Sequence, residues 1–116
     1  MRALISAMCL VVFLMTTHAA KSSEREMAEI CDAIHYIGDK SLEAAASGFS
    51  RDDMSIAVRM NTEGGDPEIL AILHPAFDRI IEYAFFNNRF GLSDAAQREC
   101  QIVEQLLLEL VEKEPE

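Results

Sequence analysis

Several patterns that usually carry chemistry are missing from this chain. It has no CxxC pair, which leaves a thiol oxidoreductase or a structural zinc site without support. No HExxH and no close His/Cys grouping offers a metal its convergent ligands. The GxSxG turn of a serine hydrolase is absent, and no glycines fall at a phosphate-cradling spacing. The sequence therefore predicts no catalytic residues, no cofactor and no metal.

Basic residues are also scarce. Ten Lys and Arg stand against 20 Asp and Glu, for a formal net charge of -10. That balance disfavours nucleic acid and anionic lipid surfaces as partners. A basic protein partner or a divalent cation is easier to accommodate, and a solvated acidic surface is the plain alternative. No convincing strand alternation, repeat or low-complexity tract occurs. The apolar run Leu4 to Met15 is shorter than the ~20 residues that span a bilayer.

That run follows Arg2 and precedes small and polar residues, which is the layout of a secretory signal peptide. Cleavage after Ala19 puts Thr17 and Ala19 at the recognition positions, whereas cleavage after Ala20 would put His18 there. Residues 1–19 are thus expected to be a signal peptide and residues 20–116 one exported domain, with no stable membrane insertion after removal. Cys9 lies inside the apolar run instead of at its end behind small residues, so a lipid-anchor reading fails. Removing Arg2 with the leader leaves a net charge of about -11.

Export also fixes the cysteine count. Only Cys31 and Cys100 remain, and an oxidising compartment favours their pairing. Closing a loop of that length stabilises a chain by roughly 4 kcal/mol in the entropic model. That is a large share of a small domain's stability.

The remaining residues read as helices. Ser23 and Glu26 form a capping box, followed by Met27, Ile30, Cys31, Ile34 and Ile37 at helical spacing. This helix should run to a terminating Gly48, with Gly38 a weak point that allows a bend. Ser50 should cap a second, short helix carrying Asp52, Asp53, Met54, Ala57 and Val58, which ends before Gly64-Gly65. Asp66-Pro67 starts another. His74-Pro75 should kink or interrupt it. Phe77, Ile80, Ile81, Ala84 and Phe85 then continue an apolar helix to about Phe90, with Gly91 as terminator. Ser93 should cap a last helix with Ala96, Cys100, Val103, Leu107 and Leu110 on one stripe. The expected fold is all-α, a small bundle of four or five helices, its first and last joined by Cys31–Cys100.

Individual candidates are few. His35 and His74 are read as structural or surface histidines, and adjacent Asp52 and Asp53 point in different directions on a helix. Glu63, Asp66 and Glu68 cluster around the double glycine without the calcium-loop pattern DxDxDG, and capping alone accounts for Asp66. The stretch from Tyr83 to Phe90 is richest in aromatics. Its rings, Tyr83, Phe85, Phe86 and Phe90, point in several directions on one helix. Either that helix is surrounded on most sides, or some rings and Arg89 form a dimer or partner surface.

The segments ICDAIHYIGD around Cys31, AAASGFSRDD around Gly48 and RECQIVEQLL around Cys100 resemble small exported helical proteins of Gram-negative bacteria. Among these are periplasmic immunity proteins that neutralise peptidoglycan-cleaving amidase toxins of the type VI secretion system. A related group carries a CxGYIxG motif near its first cysteine. This chain keeps Tyr36-Ile37 and Gly38 but has no glycine before Tyr36. The resemblance implies an all-helical, disulfide-containing, often dimeric, non-enzymatic periplasmic protein. Its partner would be an envelope hydrolase with a basic or cleft-bearing surface. In a source that is not Gram-negative the location would be extracellular. The expected contacts are Glu63, Asp66 and Glu68 in the loop, and Tyr83, Phe86, Arg89 and Phe90 in the aromatic stretch. The alternative is a structural or stress-related envelope protein acting as a dimer or mild chaperone.

Overall fold

A computed structural model describes residues 23–113. The expected leader, Cys9 and residues 114–116 lie outside the described residues. Four helices follow one another: α1 (Ser23–Ala46), α2 (Arg51–Asn61), α3 (Pro67–Asn87) and α4 (Leu92–Lys113). No strand occurs among the described residues.

Each helix buries the stripe that its sequence offers. Ile30, Ile34, Ile37 and Ser41 line the inner face of α1, at steps of four, three and four. Ser41 is fully buried, and its hydroxyl donates to the Ile37 carbonyl at 2.7 Å, so it adds no unsatisfied polar group. Leu92, Ala96, Cys100 and Val103 do the same for α4, and Met54, Val58 and Thr62 for α2. Helix α3 is central. Leu73, Phe77, Ile80 and Ala84 form one buried row, and Ala76 and Ile81 widen it. The rising apolar content of the sequence after His74 thus has its cause in a helix touched by all three others.

Neighbouring helices alternate in direction. Arg51 meets Glu82 while Thr62 meets His74, so α2 runs antiparallel to α3. Cys31 is bonded to Cys100, with Cα atoms 5.3 Å apart, and Gly38 faces Leu92, so α1 and α4 are also antiparallel. A Cβ on Gly38 would lie 3.3 Å from Ile80 and 3.4 Å from Leu92. Gly38 is therefore the point where α1 comes close to both α3 and α4. The disulfide joins the first and last helices as the sequence predicts.

Two helix starts also follow the sequence. Ser50 accepts from the Asp53 amide at 3.0 Å, and the Asp53 carboxylate accepts from the Ser50 amide at 2.9 Å, a complete capping box. Asp66 caps α3 by accepting from the Glu68 amide at 2.9 Å, with Pro67 at the first helical position.

Three expectations are corrected. Of the kink or interruption expected at His74-Pro75, the interruption does not occur: α3 is one helix of 21 residues with Pro75 inside it. Pro75 cannot donate to the carbonyl of Ala71, but both residues are exposed, so water can satisfy that carbonyl. The same helix ends at Asn87 and not near Phe90, because Asn88 takes a φ of 58° as its C-cap. Finally, α4 begins at Leu92, with the Ala95 amide bonded to the Gly91 carbonyl at 2.9 Å, which places Ser93 inside the first turn.

Candidate functional site

The α3–α4 corner gathers most of the aromatic residues that the sequence marks. Tyr83 is half-buried, and its hydroxyl donates to the carbonyl of Phe90 at 2.8 Å across the turn. Gly91 takes a φ of 70°, and a Cβ there would come within 2.7 Å of the Tyr83 hydroxyl. A glycine is thus required twice at one position, for its backbone and for its missing side chain. The turn is fixed, yet the rings on it are not covered. Phe86 is 73% exposed and Phe90 is 85% exposed.

One charged side chain lies over the ring of Phe86. Arg51 of α2 lies 5.7 Å from its centroid and donates to Glu82 at 2.9 Å. Further along α3, Asp78 accepts from Ser55 and Arg59 of α2, and Arg79 reaches Glu99 of α4 with two nitrogens. The Glu99 carboxylate raises the Arg79 guanidinium further above its already high value, so Arg79 stays charged. These pairs are largely exposed, apart from the mostly covered Glu99, and the exposed ones are individually weak. Their effect here is orientation. Arg51 and Arg79 are occupied, and their partners Glu82 and Glu99 are neutralised. Arg89 and Arg98 make no ion pair among the described residues. An open groove of about 360 Å³ runs between α3 and α4, with Phe86, Tyr83, Asn87, Arg79 and Arg98 on its walls. In a strongly acidic chain, this corner is the place where aromatic rings and uncompensated arginines meet.

The loop contacts do not join it. Glu63, Asp66 and Glu68 are exposed at the start of α3, whereas Tyr83, Phe86, Arg89 and Phe90 are at its end. A helix of 21 residues separates them by roughly 30 Å. Asp66 is occupied as a cap. Among the described residues no group of three His, Cys, Asp or Glu could hold a metal ion. One partner could touch both regions only by lying along the whole of α3.

His74 has a structural role. The Thr62 hydroxyl is buried, lies 3.0 Å from the Val58 carbonyl and shares a 2.8 Å hydrogen bond with His74 Nε2. Burial, then the Arg59 charge, holds the His74 imidazole below its usual value, against the opposing pull of Asp78. This bond ties the end of α2 to α3.

A second apolar surface was not anticipated from the sequence. Phe49, Ile56 and Met60 are 49%, 57% and 65% exposed and line a groove of about 430 Å³ between the end of α1 and α2. Ala44, Met54 and Ala57 form its floor, with Lys40, Glu43 and Asp53 at the rim. The signal was present. Phe49, Ile56 and Met60 recur at steps of seven and four, a second stripe beside the buried one of Met54 and Val58. A short helix with two apolar stripes has more apolar surface than one neighbour can cover.

Comparison with protein-family models, with curated proteins and with solved structures finds no match to this chain.

Proposed function

We propose that the chain is an exported, non-enzymatic binding protein that acts in the periplasm by occluding a protein partner, of which a peptidoglycan hydrolase is the leading candidate. The observation that carries this reading is the α3–α4 corner, where Phe86 and Phe90 project into solvent from a backbone pinned by the Tyr83–Phe90 bond. A backbone held in place loses little conformational freedom on binding, and aromatic residues with arginine are the commonest anchors of protein interfaces. Arg89 and Arg98 flank them with charge free for a partner's carboxylates or carbonyls. A stapled bundle suits such a role, since the surface need not fold as it binds.

Occlusion requires no reactive group on this chain. The partner's cleft loses access to its substrate when the corner fills or covers it. The likeness to amidase immunity proteins in the segments around Cys31, Gly48 and Cys100 supports a hydrolase as that partner. The test uses the mature chain, immobilised and exposed to envelope extract of the organism that encodes it. The expected result is recovery of one polypeptide whose peptidoglycan-cleaving activity falls as the chain is added back. Recovery of no polypeptide, or of one whose activity the chain leaves unchanged, would overturn the proposal.

A further inference from the structure

We infer that the groove between the end of α1 and α2 is a docking site for a basic amphipathic helix of a partner protein. This goes beyond the reading above, because the groove and the aromatic corner are on different sides of α2. Arg51, Ser55 and Arg59 of α2 face α3, while Phe49, Ile56 and Met60 face the groove.

Shape selects a helix. The groove runs along α2, whose 11 residues extend about 16 Å, or three turns. Its walls are two helices, and such a trough takes the ridge of a third. Phe49, Ile56 and Met60, at steps of seven and four, can meet apolar residues along that ridge. Met54 and Met60 are unbranched and can adapt to side chains of several shapes.

Area argues against a second copy of this chain as the occupant. Three side chains exposed to about half their surface offer on the order of 300 Å² of apolar area, against about 800 Å² per partner in a stable interface. Two copies would also bring together chains of net charge -10 each. A single helix needs only the smaller area.

Charge decides the sign of the partner. Lys40 is the one cation among the groove-lining residues, and Glu43 engages it at 3.3 Å. Asp53 is also at the rim, its carboxylate accepting from the Ser50 amide at 2.9 Å, so two carboxylates stand there against one ammonium. A helix with an apolar face and lysine or arginine beside it meets these carboxylates, and an acidic helix is repelled.

The test measures fluorescence anisotropy with a labelled five-turn peptide of leucine and lysine in an amphipathic helical pattern. Controls are the same leucine pattern with glutamate in place of lysine, and a scrambled leucine–lysine peptide. The patterned basic peptide should bind the native chain at least tenfold more tightly than either control. Ile56→Asp and Met60→Asp should each weaken it at least tenfold, although both add negative charge. The double variant Phe86→Ala/Phe90→Ala should bind this peptide like the native chain, which separates the groove from the corner. Unchanged or tighter binding by Ile56→Asp would show bulk charge attraction only and overturn the inference. So would equal binding of the acidic or scrambled peptide, or no binding of the basic one. Self-association of the native chain in sedimentation, abolished by Ile56→Asp, would assign the groove to a second copy and also overturn it.

Discussion

Gly91 and Tyr83 constrain each other through a single contact. A side chain at position 91 would be strained at a φ of 70° and would collide with the Tyr83 hydroxyl. Gly91→Ala should therefore destabilise the chain by about 1–3 kcal/mol in urea unfolding. Tyr83→Phe should cost about 1 kcal/mol, the net worth of one hydrogen bond. The double variant should cost less than the sum, because removing the hydroxyl relieves the collision and leaves only the backbone strain. Strict additivity would show that the hydroxyl and the missing Cβ do not compete for the same space. At His74 the folded protein favours the neutral imidazole, since burial and Arg59 both lower its proton affinity. Its contribution is full above the unfolded value near 6.5 and is lost as the pH falls through that value towards the lower folded one. Between pH values of about 7.5 and 5.5 the native chain should lose more stability than His74→Gln. Parallel curves for the two would contradict this sign.

Pro75 shows what a helix tolerates when its defect faces water. Proline in a helix interior costs up to about 3 kcal/mol relative to alanine. Here the lost donor and the stranded Ala71 carbonyl are both on the exposed side. Pro75→Ala should raise stability by about 1–3 kcal/mol without altering the helix, as thermal unfolding with circular dichroism would reveal. A loss of stability would mean that the proline is packed and not merely tolerated. Elements of this kind also show what the sequence disclosed. The caps at Ser50 and Asp66 were legible because capping is local, decided by residues within three positions. The core stripes were legible because burial follows the helical period. The effect of Pro75 was not, since it depends on which side of the helix faces solvent, and that is set by the neighbours. For the same reason the sequence marked Phe86 and Phe90 as notable but could not choose between a surrounded helix and an exposed corner. The groove at Phe49, Ile56 and Met60 stayed hidden because α2 has one close neighbour on its buried side and little on the other.

At the scale of the whole bundle, the Cys31–Cys100 disulfide joins α1 to α4, and an apolar core holds both to α3. The described residues extend 48 by 26 by 20 Å, a long and thin shape for so small a core. Among them, no helix is long and apolar enough to cross a membrane. The Cys31–Cys100 bond joins residues 69 apart in sequence, so its reduction should remove roughly 4 kcal/mol by release of chain entropy. Reductant should lower the urea midpoint of the native chain and leave that of Cys31→Ser/Cys100→Ser unchanged. An equal midpoint with and without reductant would show that the core alone carries the stability. The acidic charge of the chain leaves the aromatic corner as a local exception, and that exception underlies the proposed role. Its most direct test is the affinity of the captured partner for the native chain and for Phe86→Ala/Phe90→Ala, measured by calorimetry with the fold checked by circular dichroism. If the corner anchors the complex, the double variant should bind about 1,000-fold more weakly, the loss expected from two interface hot spots of about 2 kcal/mol each. Binding within threefold of the native chain would contradict it.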